Sequence, residues 1–177
     1  MQEEEKLLNL FKQACDRMDE KEREDNLLCC LDIPNDDVKL AVVSCLSHVP
    51  LSQFDSTEIQ KLLRHVEGSQ NIGTGKTELV LAVIFHIFGN MVGDASVQNE
   101  NTVETFKSLY GERAIHLAIN IMTTNQDRIV SDLDEEYEKT TLAISILNFL
   151  KFVSNDPNLS LELEKHGNVL KAVLFAE

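Results

Sequence analysis

Pro34-Asn-Asp-Asp-Val-Lys-Leu-Ala-Val-Val-Ser-Cys-Leu-Ser-His-Val-Pro50 reads as one helix held between two stops. The residue before a proline is pushed out of the α region, so Ile33 ends whatever precedes it. Asn35 can cap the new helix. Asp36 and Asp37 fill its first turn, where acids suit the positive helix end. Val38, Ala41, Val42, Cys45, Leu46 and Val49 then recur at helical spacing and share one face. Pro50 closes the segment. The same period governs the rest of the chain, and no stretch alternates at period two between turns. The sequence therefore predicts an all-α protein.

Upstream, a helix from about Glu3 carries the stripe Leu7, Leu8, Leu10, Phe11, Cys15 and Met18. Asp19 to Asp25 is a solvated turn or an exposed helix surface. Leu27, Leu28, Cys30 and Leu31 close a second short helix. Downstream, Asp55-Ser-Thr-Glu58 reads as a capping box, followed by Ile59, Leu62, Leu63 and Val66. Gly68 to Gly75 reads as a loop. Thr77 to Val92 is apolar almost all round, which predicts a helix sandwiched between neighbours, with His86 as a hydrogen-bonded core residue. Gly93 ends it. Asp94 to Asn101 is a polar loop, and Asn101-Thr-Val-Glu104 caps a helix interrupted near Gly111. Glu112 to Met122 continues with Ala114, Ile115, Ala118, Ile119 and Met122. After a loop from Asn125, Ser131 to Asp134 can cap a long helix to about Val153, with Leu142, Ile146, Leu147, Phe149 and Leu150 inside. Asp156-Pro157 opens another, proline being favoured at a first helical position. Gly167 breaks it before Val169, Leu170, Val173 and Leu174.

Composition narrows the class. The 177 residues suit one domain or one compact run of repeats, and 43% apolar residues can build a core. Seven Gly and three Pro are few for a β-sandwich. A net charge of -14 argues against duplex nucleic acid, phosphate-coating surfaces and anionic membranes, all of which call for Lys and Arg. With 6% aromatics the stacking platforms of RNA readers are also missing. Cys15, Cys29, Cys30 and Cys45 fall on apolar faces without framework spacing, which predicts reduced, buried thiols in the cytoplasm, or alternatively the nucleus. The acidic start Met1-Gln-Glu-Glu-Glu-Lys6 does not open a signal peptide. Leu79 to Phe88 is too short to span a bilayer.

Four helices share a core: Leu40-Ala-Val-Val43, Leu81-Ala-Val-Ile84, Leu117-Ala-Ile-Asn120 and Leu142-Ala-Ile-Ser145. The first two lie at the spacing of stacked helical repeats, in which each pair leaves an apolar side that the next pair covers. The third interval, from Leu117 to Leu142, is too short for a full repeat. Pro34 to Pro50 resembles the second helix of a HEAT repeat or the third helix of an armadillo repeat, with its Asp, basic residue and Ala-Val pair. Thr141 to Phe175 is similar to an armadillo unit boundary: a long helix, Ser-Asn-Asp-Pro157, Leu-Glu-Leu-Glu-Lys-His-Gly167, then Val-Leu-Lys-Ala-Val-Leu174. The resemblance implies a right-handed α-solenoid of about three to four armadillo/HEAT-like repeats. An irregular helical bundle is the alternative. Import-type armadillo proteins line a peptide groove with Trp and Asn. This chain has no Trp, and no Asn stands where expected around Lys151-Phe152, so that groove is not expected.

Signs of chemistry are sparse. Gly73-Thr-Gly-Lys-Thr77 resembles the end of a P-loop, yet the first glycine of that motif falls on Gln70, and a helix precedes it where a strand is needed. Asp132-Leu-Asp-Glu-Glu136 lacks the glycine and the last acid of a Ca²⁺ loop, whose places Tyr137 and Ala143 take. Cys45 and His48 make one loose pair where zinc sites show two. No G-x-S-x-G elbow is present. No catalytic, cofactor or metal residues are expected, and with no polar ladder across the related helices, no binding residues are singled out.

The expectation is one helical-repeat domain over 1–177, non-catalytic, cytoplasmic and without cofactor, serving as a scaffold that binds a protein partner of basic or mixed charge. Regulation of a GTPase or other enzyme is the alternative, and nucleotide binding at Gly73 to Thr77 a distant third. Neither nucleic acid nor membrane insertion is expected. The apolar last helix suggests the start of a longer protein, or self-association through that helix.

Overall fold

The computed structural model describes residues 27–49, 54–69, 75–93, 101–127 and 142–174, with scattered helical positions between 2 and 17. The described residues are helical throughout their regular elements and contain no strand. Between residues 2 and 17 the described positions all lie on an exposed face, and Leu10, expected in the buried stripe, is 62% exposed. Leu7, Leu8, Phe11, Cys15 and Met18 lie outside the described residues, as do the charged stretch to Asp25, most of the loop from Gly68 to Gly75, and Ser131 to Asp134.

A 3-10 turn, Leu28–Asp32, stands where a short α-helix is expected. Its tighter winding sends Leu28 and Leu31 inward and leaves Cys29 exposed, so that thiol is not a buried one. Ile33 is extended, as Pro34 requires. Helix α1, Asp36–Leu46, is capped by Asn35, whose Oδ1 accepts from the N–H groups of Asp37 (3.0 Å) and Val38 (3.2 Å). Helix α2, Ser56–Gly68, is capped by Asp55, whose Oδ1 accepts from Glu58 N–H at 2.8 Å. Helix α3 is Gly75–Gly93. Helix α4, Asn101–Thr105, runs into a π-helical stretch, Phe106–Tyr110, and on into α5, Gly111–Thr124. Helices α6, Leu142–Ser154, α7, Leu159–Glu164, and α8, Gly167–Leu174, complete the described chain.

As expected, the α-helix is interrupted near Gly111: it widens to a π-helix over Phe106–Tyr110, Tyr110 leaves the helical dihedrals, and the α-helix resumes at Gly111. Glycine leaves space there, since a Cβ would stand 2.7 Å from Leu159 Cδ2 of α7, which would have to shift. At the end of the chain the break falls on Lys165-His166, one turn earlier than expected, and Gly167 is the first residue of α8. Val169 faces solvent instead of the core.

Two sets of helices stack side by side. In the first, the starts of α1 and α3 meet: Lys76 Nζ lies 2.6 Å from Asp37 Oδ1 and Thr77 Oγ1 donates to Asp36 Oδ2 at 3.3 Å. The far side of α3 packs along α6, where Gly89 lies against Phe149 and Gly93 against Phe152. In the second set, Gln60 of α2 donates to the Tyr110 hydroxyl (2.8 Å), and Arg113 of α5 donates to Glu67 (2.7 Å). His116 then meets Glu162 of α7, and Gln126 Nε2 donates to the Ala172 carbonyl of α8. Between α3 and α6, and along the second set, contacting residues rise together on both partners, so those neighbours run parallel.

The core lies where α3, α6 and the π-helical stretch converge. Phe88 sits 5.3 Å from Phe106 and 5.9 Å from Phe85, and Phe85 sits 5.7 Å from Phe149 (ring centroids). All four side chains are fully buried. Helix α3 is not buried all round, however. Leu79, His86 and Gly93 form an exposed stripe at helical spacing, so His86 is a surface residue, its Nε2 3.2 Å from Asn90 Nδ2. The stretch Lys76–Gly93, longer than Leu79 to Phe88, is long and apolar enough to cross a membrane by length and composition. Here it packs between α1 and α6. Phe149→Ala should lower unfolding free energy by about 3–5 kcal/mol, a cost set by the cavity left among the rings. Urea denaturation measures it, and a loss under about 1 kcal/mol would mean the cluster is not the centre of the core.

Candidate functional site

Three places gather polar groups. The first is the start of α3. Lys76 and Thr77, which a P-loop would turn toward phosphate, engage Asp37 and Asp36 of α1. Helix α2 stands where the strand of a P-loop belongs. Gly73 and Thr74 lie outside the described residues.

The second is a cleft of about 370 Å³ where the 3-10 turn meets α1 and α2. Leu28 and Leu31 form part of its wall, and Lys39, Lys61, Arg64 and His65 surround it, opposed by Asp32. The capping of α1 and α2 fixes the helices that carry these cations. Lys61, Arg64 and His65 follow one another at helical spacing on α2, on the side away from the core residues Leu62, Leu63 and Val66. Burial, then the neighbouring Lys39 ammonium, lower the His65 pKa, outweighing the opposite pull of Asp36 and Asp32. His65 thus stays neutral to lower pH than a free imidazole. The cleft concentrates positive charge on a chain whose total is -14.

The third joins α5 to α7. His116 Nε2 lies 2.8 Å from Glu162 Oε1, and His166 Nε2 lies 3.7 Å from the same oxygen. Lys165 holds the other carboxylate oxygen at 2.9 Å. Hydrogen bonds from Lys165 and His116 pull the Glu162 pKa down to about 2, and the same carboxylate raises that of Lys165. The two imidazoles meet edge to face, with centroids 4.8 Å apart. The histidines stand fifty residues apart in the chain and no local spacing links them. Glu162 and His166, one helical turn apart, were the readable part of the signal. Cys45 and His48 do not form a site, since Cys45 is buried and His48 exposed. Asp132 to Tyr137 lie outside the described residues.

Beside this cluster α7 opens at Leu159, two residues after the start at Pro157 that the sequence predicts, and Asp156 begins the turn that leads into it. The Asp156 Oδ1 accepts from Asn158 N–H (3.1 Å) and Leu159 N–H (3.0 Å), and its Oδ2 meets Lys107 Nζ at 3.1 Å. Burial raises its pKa, but the Leu159 N–H, Lys107 and the Asn158 N–H together outweigh that and lower it.

No family model, curated protein or solved structure matches the chain. Asp156→Ala should cost about 1–2 kcal/mol at neutral pH through the lost cap and ion pair. Because the folded-state pKa is depressed, that contribution is present above the unfolded value of about 3.9 and fades as pH falls through the folded one. Denaturant titrations of both proteins against pH should therefore begin to approach each other near pH 4 and converge once pH has fallen through the folded-state value. A gap that persists there would assign the effect to packing.

Proposed function

We propose that the chain is a non-catalytic, armadillo/HEAT-like α-solenoid segment that grips protein partners. The recurring pairing within the second set of helices supports this reading. Arg113 with Glu67, His116 with Glu162, and Gln126 with Ala172 each join residues 46 apart. Gln60 with Tyr110 spans 50 residues. Offsets of this size are close to the period of such repeats, about 40–47 residues. In the first set, the contact between Asp36 and Thr77 spans 41 residues.

The observation that carries the binding role is the cationic cleft of Lys39, Lys61 and Arg64. A wall with Leu28 and Leu31 and a basic surround fit an acidic peptide segment with an apolar side chain. The acidic remainder of the surface favours basic flanks, so the partner is of mixed charge. A cleft already held by capped helices binds without a large ordering cost.

Fluorescence anisotropy with a panel of acidic peptides, each bearing one Leu or Phe, tests this. Binding should weaken as salt rises, and Lys61→Glu combined with Arg64→Glu should abolish it without lowering the melting temperature. Undiminished binding by that double variant, or no binding by the parent at low salt, would sink the assignment of the cleft.

A further inference from the structure

We propose that His116, Glu162 and His166 form a binding site for one zinc-class divalent cation that pins α7 to α5. Two imidazoles and a carboxylate are a sufficient set for a borderline-soft cation, with water in the fourth position. All three ligand atoms lie within 4.8 Å of one another. A tetrahedral ion with ligands about 2.0–2.2 Å away needs them about 3.3 Å apart. The separations around Glu162 Oε1, 2.8 Å to His116 Nε2 and 3.7 Å to His166 Nε2, bracket that value. Small side-chain rotations suffice to close the set.

A second observation points the same way. His166 Nε2 is buried and has no hydrogen-bond partner among the described residues. At 3.7 Å from the carboxylate it is beyond hydrogen-bonding reach. A simple ion-pair cluster would close that gap, because a shielded nitrogen left unpaired is costly. A cation seated between the two imidazoles satisfies it. Lys165 occupies only Oε2, so Oε1 remains turned toward the histidines, and the exposed ammonium orients the carboxylate from behind, as outer partners of metal ligands do. Glu112, which also acts on Lys165, adds negative charge nearby. The ligands come from α5, from α7 and from the turn that follows α7, and bound metal would tie them together.

Calorimetric titration of the whole chain with Zn²⁺ should give one site per molecule that depends on these residues, accompanied by a higher melting temperature. His116→Ala and His166→Ala should each weaken it by more than about tenfold, the scale at which even outer-shell losses begin. Both side chains reach the surface, so circular dichroism should show either variant folded. Co²⁺ should give the visible absorption of a tetrahedral nitrogen–oxygen site without a thiolate charge-transfer band. Cys29→Ser with Cys30→Ser should leave binding intact. Absence of saturable binding, binding unchanged in both histidine variants, or binding lost with the two cysteines would overturn the proposal.

Discussion

The close approach of α3 and α6 is the constraint on which the other packing depends. Gly89 lies in ordinary contact with the backbone of Phe149, and Gly93 makes room for the Phe152 ring, which a Cβ there would strike. With those two helices in contact, Phe85 and Phe149 meet, Phe88 reaches Phe106, and the π-helical stretch is drawn into the same cluster. The opposite side of α3 is then free to take α1, held at its start by the pairs of Lys76 and Thr77 with the first-turn aspartates. One helix thus has neighbours on two sides, which is why its sequence is apolar over most of its circumference.

Much of this was legible in the residues. Asn35 and Asp55 cap as their positions indicate, Asp156 starts the turn before α7, and period 3.6 gave the class. The Leu-Ala cores take on a clearer meaning in three dimensions. Those at Leu40, Leu81 and Leu142 lie on α1, α3 and α6, which stack on one another, whereas that at Leu117 lies on α5 in the other set. The short interval from Leu117 to Leu142 therefore joins helices of different sets.

What the sequence concealed has common physical causes. A helix buried on two sides still has a third, and apolar neighbours hid the outward direction of His86. Cys29 is adjacent to buried leucines, but a 3-10 turn eclipses every third residue and sends it outward. Gly111 marks the interruption of its helix and also leaves room for Leu159, a role that the sequence does not show. The meeting of His116 with Glu162 and His166 depends on the offset between stacked helices, a quantity that no local window contains.

The side-by-side arrangement also decides how the molecule comes apart. Helix α3 is flanked twice, whereas α8 rests chiefly on α5 and keeps much of its surface wet. Detaching α8 gives up little packing, while extracting α3 gives up a seam on each side. Opening should thus reach α8 well before α3, with the aromatic cluster among the last to exchange its amide protons.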